Sequence, residues 1–247
     1  MISFDILDQF DGLINVFSTR SADGGASTGP FANLNLGNFQ YDNRKNIEHN
    51  RSLFFERYRI DPQMVVYPQQ IHSANVRLVQ QPGIYPETDA IVTNRKNIYL
   101  SIQTADCFPV YLAEPAGNTI ALIHAGWRGV VNNIIEKTIH LMTVRLAVDT
   151  EKIVAAIGPG IRSECFEVKS DVYTYFPKKF STSHEESSKR YIDLAGIIKE
   201  KLIALGLLPG HIEESRLCSK CRDDLFFSYR RDGVKSGRMM GILGICS

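Results

Sequence analysis

Apolar positions follow two different periods along the chain, and their succession predicts a mixed α/β protein. The almost continuously apolar segments 119–124 and 153–157 are typical of strands that are buried on both faces. Segments 46–59 and 130–146 carry their apolar residues at helical spacing, which predicts helices with one buried face. Other predicted strands are 64–67, 76–79, 98–103 and 110–112, and other predicted helices are 167–175 and 193–205. Strands and helices therefore alternate, as they do in α/β proteins.

The C-terminal region predicts a hairpin. Segments 226–230 and 238–245 lie on either side of Asp232-Gly233, a dipeptide that is typical of tight hairpin turns. No repeat, low-complexity tract or long linker-like segment divides the 247 residues. We therefore expect one α/β domain, residues 1–247, in which mixed β-sheets are covered by helices.

Composition and charge narrow the classes of partner. Apolar residues make up 44% and charged residues 22% of the chain, which excludes disordered and fibrous proteins. Lysine and arginine total 28 against 27 acidic residues, so the net charge is +1. A charge so near zero gives no field that would attract nucleic acid or an anionic membrane. We expect a small molecule as the partner, with no nucleic acid and no membrane.

The sequence also suggests a compartment. The first residues, MISFD, lack the basic and apolar regions of a signal peptide, and no apolar run approaches the roughly 18 residues of a membrane span. Five cysteines are an odd number, and a chain of this length needs no disulfide framework. We expect a reducing, cytoplasmic location.

Three segments place a potential metal ligand next to the end of a predicted strand. They contain His72, Cys107 and His124, which are 35 and 17 residues apart. Imidazole and thiolate ligands suit zinc, and three protein ligands leave the fourth tetrahedral position open, as in catalytic sites. Each residue alone could equally be a hydrogen-bonded histidine at a strand end or a small buried thiol. The spacing matches no local metal-binding motif, so the residues alone leave both interpretations open.

The segment HAGWRG (124–129) indicates a possible anion site. Gly126 and Gly129 permit close approach of the backbone, and free amides at the start of the following helix favour an anion. Arg128 could add a bidentate contact to phosphate. An ordinary strand-to-helix turn explains the same residues.

The remaining cysteines and histidines receive no role from the sequence. Cys218 and Cys221 form a CxxC motif, but no second CxxC or histidine pair completes a structural zinc site, so spare thiols are the preferred interpretation. No function is assigned to the other residues of these types, which are Cys165, Cys246, His49, His140, His184 and His211.

Taken together, the motifs resemble the YfiH-type laccase-domain family, also called multicopper polyphenol oxidoreductases or purine nucleoside phosphorylases. The resemblance extends from about residue 13 to residue 245. The segments that carry it, in order, are NLNLG (33–37), NR (50–51), QQIH (69–72), DAIVT (89–93), TADCFPV (104–110), HAGWRG (124–129), IGPGI (157–161) and FFSYRRDG (226–233).

The resemblance implies a fold, a metal and an activity. The fold would be a layered α/β/β/α-type sandwich, and the metal ligands would be His72, Cys107 and His124. The implied reactions are phosphorolysis of adenosine, inosine and S-methyl-5′-thioadenosine, and hydrolytic deamination of adenosine. Deamination needs activated water, which a bound Zn²⁺ can supply, and Cu²⁺ is the alternative ion.

Three residues are assigned roles from their motif positions. Asp106 and Asp89 are the candidate acid and base groups, because deamination requires protons to be moved. Arg51, like Arg128, could orient phosphate during phosphorolysis.

Two alternatives remain at the level of the sequence. Cys107 could be the nucleophile of a metal-free thiol hydrolase or deamidase with His124 as its base. A copper-dependent polyphenol oxidase is the other alternative, although six scattered histidines are few for a multicopper site.

Overall fold

The protein is a mixed α/β structure. A computed structural model describes residues 1–21, 23–37, 39–116, 118–183 and 189–246. Within these ranges the helices and strands are, in order, α1 (Asp5–Asp8), β1 (Leu13–Phe17), α2 (Arg44–Arg57), β2 (Val65–Pro68), β3 (Val76–Leu78), β4 (Gly83–Tyr85), β5 (Ala90–Thr93), β6 (Tyr99–Thr104), β7 (Phe108–Glu114), β8 (Thr119–Ala125), α3 (Trp127–Val131), α4 (Ile134–Leu146), β9 (Val154–Ile157), β10 (Glu167–Val168), α5 (Ser170–Tyr173), β11 (Ser181–Thr182), β12 (Arg190–Ile192), α6 (Leu194–Ala204), β13 (Ile212–Glu214), α7 (Tyr229–Asp232) and β14 (Met239–Ile245).

The strands form mixed sheets. One sheet has the order β1-β14-β6-β2-β4, a larger one has the order β13-β9-β7-β8-β5-β3, and a small antiparallel sheet has the order β10-β12-β11. In the larger sheet, β7 and β8 are antiparallel, as are β5 and β8, whereas β3 and β5 are parallel. In the first sheet, β2 is parallel to both β4 and β6. Mixed sheets were expected and are confirmed.

Hydrophobic packing arranges these elements in layers. Leu100 of β6 and Leu122 of β8 belong to one buried cluster, which lies between the two large sheets. On the outer face of the first sheet, Phe54 of α2 packs near Val65 of β2. On the outer face of the larger sheet, Ile135 of α4 and the apolar face of α6 join another cluster. The order of layers is therefore helix, sheet, sheet, helix, which confirms the α/β/β/α sandwich.

The predicted helix over 130–146 is divided into two. α3 ends at Val131 and α4 begins at Ile134, because Asn133 lies in the left-handed region with φ +66°. Asparagine adopts this conformation more readily than most residues because its short polar side chain bonds locally. The helical spacing of apolar residues continues across the break, so the sequence pattern gives no sign of it.

The predictions for 167–175 and for the C-terminal hairpin are wrong. Residues 167 and 168 form β10, and only Ser170–Tyr173 is helical. The segment 226–230 does not pair with β14, since Tyr229–Asp232 forms the short helix α7, whose Arg231 N–H donates to Ser228 Oγ. β14 pairs instead with β1 and β6. The apolar C-terminal strand therefore finds partners that are distant in sequence.

The helices are short. α2 has 14 residues and α4 has 13, so they are roughly 21 Å and 20 Å long at 1.5 Å per residue. No helix in the described ranges is both long and apolar enough to cross a membrane.

Candidate active site

The hairpin formed by β7 and β8 brings Cys107 close to His124. These strands are antiparallel, with Pro109 opposite His124 and Phe108 opposite Ala125. The start of β7 therefore lies beside the end of β8, and Cys107, immediately before β7, reaches the level of Gly126. Strand pairing therefore places Cys107 next to His124, although they are 17 residues apart in sequence.

Asp89 orients His124 from the neighbouring strand. Ala90 of β5 is opposite Ile123 of β8, and the His124 N–H donates to the Asp89 carbonyl at 2.8 Å. The side chains also meet, since His124 Nδ1 donates to Asp89 Oδ1 at 2.8 Å. A carboxylate at Nδ1 fixes the tautomer and leaves Nε2 free to act as a ligand or a base.

The same carboxylate holds the loop that carries His72. Asp89 Oδ2 accepts from the Ile71 N–H at 3.2 Å, the Ser73 N–H at 2.7 Å and Ser73 Oγ at 2.7 Å. Asp89 Oδ1 accepts from the His72 N–H at 3.0 Å. His72 itself has φ +59°, an uncommon conformation that these bonds stabilise. Asp89 therefore fixes both histidines.

Three potential ligands converge beside Gly126. The ligand atoms of His72, Cys107 and His124 all lie within 4.8 Å of one another, and the two imidazole rings meet edge to face. A Cβ at Gly126 would lie 3.0 Å from Cys107 Sγ and 3.3 Å from His72 Cδ2, so glycine leaves room for the cluster. Two imidazoles and one thiolate are a donor set that suits zinc or copper, and the residues fit such an ion.

The electrostatics of the cluster favour a charged thiolate. Burial raises the pKa of Cys107, but the charge and hydrogen bond of His124 and the hydrogen bond of His72 outweigh it and lower that pKa to about 6. Burial lowers the pKa of His124, but Cys107 and Asp89 raise it to about 9. Burial opposes ionisation of Asp89 too, yet bonds from His124 and Ser73 lower its pKa to about 2. These shifts all favour a thiolate–imidazolium pair beside a carboxylate.

The cluster lies in the wall of a cavity of about 740 Å³. This volume is in the range of about 300–1,000 Å³ that is common for small-molecule sites. The lining residues are Pro68, Gln69, Gln70, His72, Gln103, Thr104, Ala105, Asp106, Cys107, His124, Gly126, Trp127, Arg128, Ile161, Phe166, Leu194, Tyr229, Arg230 and Arg238.

Asp106 lies in the cavity wall and links it to the C-terminal region. Its Oδ1 accepts from Ser219 Oγ at 2.7 Å, and its Oδ2 accepts from the Arg230 N–H at 2.6 Å. Its φ is +97°, a conformation that aspartate rarely adopts. The strained backbone and the two bonds fix its carboxylate in place.

Three arginines make the cavity positive. Arg128 is exposed, with its guanidinium carbon 4.5 Å from the centre of the Trp127 ring. Arg230 donates to the carbonyl of Glu167 at 2.8 Å, and Arg238 donates to the carbonyls of Ser236 and Gly237. The cavity can therefore attract an anion.

Other residues singled out in the sequence lie outside this wall. Arg51 is not among the described lining residues, since its Nε donates to the Leu36 carbonyl at 2.9 Å and its guanidinium lies against Phe39 and Tyr67. Gly129 is packed beneath the wall, where a Cβ would lie 2.8 Å from the Ser73 carbonyl oxygen. His49, His140 and His211 also lie outside the lining, and His184 is outside the described residues.

The structure adds residues to which sequence reasoning gave no role. Tyr229 and Arg230 belong to the FFSYRRDG segment, so the motif was a signal, but its place at the cavity was not evident. Arg238 and Phe166 belong to none of the motifs. Gln70 and the backbone of Gln103 bond to each other at 2.8 Å in both directions and thereby join two parts of the wall.

Residues 14–246 match the family described as multi-copper polyphenol oxidoreductase laccase. The chain belongs to this enzyme family. The match covers the ligand cluster, the cavity and both large sheets, and it confirms the resemblance seen in the motifs.

Relatives are similar over nearly their whole length. The chain is 33% identical to a purine nucleoside phosphorylase of Bacteroides thetaiotaomicron, over 97% of this chain and 94% of the relative. It is 30% identical to adenosine deaminase RL5 of an unknown prokaryotic organism, over 96% and 97%. Its structure resembles the crystal structure of YlmD from Geobacillus stearothermophilus, with a TM-score of 0.90, 30% identity and coverage of 96% and 93%.

Proposed function

We propose that this chain is a zinc-dependent purine nucleoside enzyme. Its reactions are phosphorolysis of adenosine, inosine and S-methyl-5′-thioadenosine, and hydrolytic deamination of adenosine. The observation that carries the proposal is the convergence of His72, Cys107 and His124 in the wall of a positive cavity. The names of the similar proteins, a purine nucleoside phosphorylase and an adenosine deaminase, support the substrate class.

The donor set suits zinc or copper, and the proposed hydrolytic reaction favours zinc. Two neutral imidazoles and one thiolate match the three protein ligands of catalytic zinc sites. The Asp89 bond to His124 Nδ1 is the outer contact that such ligands normally make. When bound, zinc supplies Lewis acidity that activates water at neutral pH. A multicopper centre needs more imidazoles than the two in this cluster.

The arginines provide the phosphate site. Arg128 is exposed, and its guanidinium contacts the Trp127 ring rather than a backbone carbonyl, so it can turn toward an anion. Arg230 and Arg238 are held by backbone carbonyls and contribute a fixed positive charge. Phosphorolysis requires phosphate to be held and oriented against the sugar, and guanidinium groups do this through paired hydrogen bonds. We assign the orientation of phosphate to these three arginines rather than to Arg51, because they line the cavity.

Aromatic side chains in the wall suit a purine. Trp127, Phe166 and Tyr229 line the cavity. A planar heterocycle stacks favourably on such rings, and each contact adds about 0.5–1.5 kcal/mol beyond the area that it buries. The cavity therefore combines a surface for the base with charges for phosphate.

Asp106 is the group to which we assign proton transfer. Each oxygen of its carboxylate accepts one bond from the protein, which leaves a second lone pair on each. Asp89 is fully buried, with both oxygens engaged, so we assign it the positioning of His72 and His124.

A thiol hydrolase is the second candidate. Cys107, His124 and Asp89 form the sequence of nucleophile, base and orienting carboxylate that cysteine hydrolases use, and the pKa of Cys107 is lowered to about 6. His72 takes no part in such a triad, whereas it could be a ligand of a metal ion. We therefore favour the metal enzyme.

Elemental analysis combined with nucleoside assays tests the proposal. Purified protein should contain a zinc ion bound to His72, Cys107 and His124, and Cys107→Ala should lower the zinc content by one equivalent and abolish both activities. Cys246→Ala is the matched control, because Cys246 contacts Tyr99 away from the cavity. Zinc bound equally by the Cys107→Ala protein and the control would refute the assignment of Cys107 as a ligand. Full activity in metal-free protein would favour the thiol hydrolase.

A further inference from the structure

A second sulfur cluster lies outside the ligand group of the cavity. Cys165 lies in the segment between β9 and β10, and Cys218 and Cys221 lie in the segment between β13 and α7. A bridge between Gly160 and Cys218 joins these segments, and the Ser219 N–H donates to the Gly160 carbonyl at 3.0 Å. Two distant parts of the sequence thus bring three thiols together.

The spacing of the sulfurs suits a common ion. All three Sγ atoms lie within 4.8 Å of one another, and the sulfurs of Cys165 and Cys221 are 3.2 Å apart. Sulfurs that bind one tetrahedral zinc at about 2.3 Å lie about 3.8 Å from each other. Small rotations of the side chains therefore bring all three to binding distance. The three cysteines are free thiols.

Backbone N–H groups surround the sulfur of Cys218. Those of Arg162, Cys221 and Lys220 bond to it. Arg231 bonds to the carbonyls of Ser219 and Lys220 at 3.4 Å and 3.0 Å and holds the loop in shape. Backbone amides directed at sulfur are outer contacts that stabilise metal-bound thiolates.

We propose that Cys165, Cys218 and Cys221 form a second metal site, which binds a thiophilic cation of the Zn²⁺ type through three thiolates. Three sulfur ligands select such ions over Mg²⁺ or Ca²⁺, which require oxygen. A disulfide would use two of the sulfurs and leave the third unexplained, whereas an ion uses all three. Binding displaces the thiol protons to solvent, so metal uptake increases with pH.

This site supports the wall of the cavity. Ser219, which lies between Cys218 and Cys221, donates to Asp106 Oδ1 at 2.7 Å. Arg230 donates to the Cys165 carbonyl at 3.4 Å. An ion that joins the two segments therefore fixes the positions of Asp106 and Arg230. This site is proposed from its own geometry, and it stands whether or not the protein acts on nucleosides.

Counting metal equivalents tests the proposal. Reduced, chelator-treated protein is titrated anaerobically with Zn²⁺ against a chromophoric chelator. The natural chain and the Cys246→Ser control should bind two equivalents, whereas Cys107→Ala and Cys221→Ser should each bind one. With Co²⁺ as the probe, Cys107→Ala should retain the near-ultraviolet sulfur-to-metal absorption, and the double variant Cys107→Ala/Cys221→Ser should lose it.

Two further measurements test the proposal if one of these variants folds poorly. Cys165→Ser should reproduce the loss of one equivalent if Cys221→Ser is unfolded by circular dichroism. X-ray absorption of Cys107→Ala loaded with one Zn²⁺ should show three sulfur neighbours at about 2.3 Å. The proposal is overturned if Cys107→Ala binds no Zn²⁺, if folded Cys221→Ser still binds two equivalents, or if mass mapping finds Cys165 and Cys221 in a disulfide that persists in reductant.

Discussion

Asp89 and His124 are joined twice, once through their backbones and once through their side chains. The His124 N–H donates to the Asp89 carbonyl, and His124 Nδ1 donates to Asp89 Oδ1, each at 2.8 Å. The other contacts of the carboxylate hold the loop of His72. A single buried acid thus sets the orientation of two of the three proposed metal ligands.

Asp89→Asn should weaken zinc binding and destabilise the fold. An amide nitrogen in place of one carboxylate oxygen cannot accept the bonds from Ser73 or His124. Loss of such an outer contact reduces metal affinity about 10- to 100-fold. Competition titration with a chelator measures the change, and Glu87→Gln, an exposed acid nearby, is the control. Equal affinity in Asp89→Asn and the control would exclude the positioning role.

The destabilisation should also depend on pH. The pKa of Asp89 in the folded protein is about 2, below its ordinary value of 3.8, because bonds from His124 and Ser73 outweigh the effect of burial. Its ionised form therefore contributes roughly 2 kcal/mol of stability above about pH 4, and this contribution is lost as the pH falls toward 2. Chemical denaturation of the natural protein and of Asp89→Asn should show that the difference between their free energies of unfolding shrinks as the pH falls from about 4 to about 2. A difference that stays constant from pH 5 to pH 2 would contradict this explanation.

Cys107 should react with alkylating reagents only when the metal is absent. Its pKa of about 6 means that the thiolate is present above about pH 6 and is lost as the pH falls through that value. Iodoacetamide should label Cys107 in chelator-treated protein with a midpoint near pH 6, and Zn²⁺ should prevent labelling because a coordinated thiolate is occupied. Peptide mapping measures the extent, with Cys246 as the internal comparison. A covalent Cys107–substrate adduct from active enzyme would instead identify a nucleophile.

Gly126→Ala should reduce zinc affinity while leaving the fold intact. The backbone at Gly126 is extended, with φ −77°, so alanine fits the conformation. Its Cβ would nevertheless lie 3.0 Å from Cys107 Sγ and 3.3 Å from His72 Cδ2. Overpacking of this kind costs about 1–3 kcal/mol, or roughly a fivefold to 150-fold loss of affinity. Gly210→Ala, where a Cβ meets open space, is the control. Unchanged affinity would show that the ligands move aside freely.

Arg128→Ala should affect phosphorolysis far more than deamination. A charge-assisted contact to phosphate is worth about 1.5–3 kcal/mol, so the KM for phosphate should increase about tenfold or more. Zinc content and adenosine deamination should change little, because neither uses phosphate. Arg145→Ala, an exposed arginine on α4 that does not line this cavity, is the control. A parallel loss of both activities would mean that Arg128 supports the fold or the metal site.

The sequence alone determined several local elements and singled out the candidate ligands. The apolar runs of β8 and β9 and the helical period of α4 are properties of short segments, and they predicted these elements within a few residues. His72, Cys107 and His124 were singled out together because each lies next to the end of a predicted strand, and the family resemblance implied the same three ligands. The structure brings them together.

The tertiary structure decided whatever depends on contacts between distant segments. β14 was assigned to a local hairpin, yet it lies between β1 and β6, since an apolar strand gains more by filling the centre of a sheet. Arg51 received a phosphate role from its motif position and Arg238 received none, but packing placed Arg51 against Phe39 and Arg238 in the cavity wall. Cys165 had no visible partner until the bridge at Gly160 set it beside Cys221. The spacing of apolar residues shows which face of a segment is buried. Which segment packs against that face depends on the register of strands and on loops that are distant in sequence.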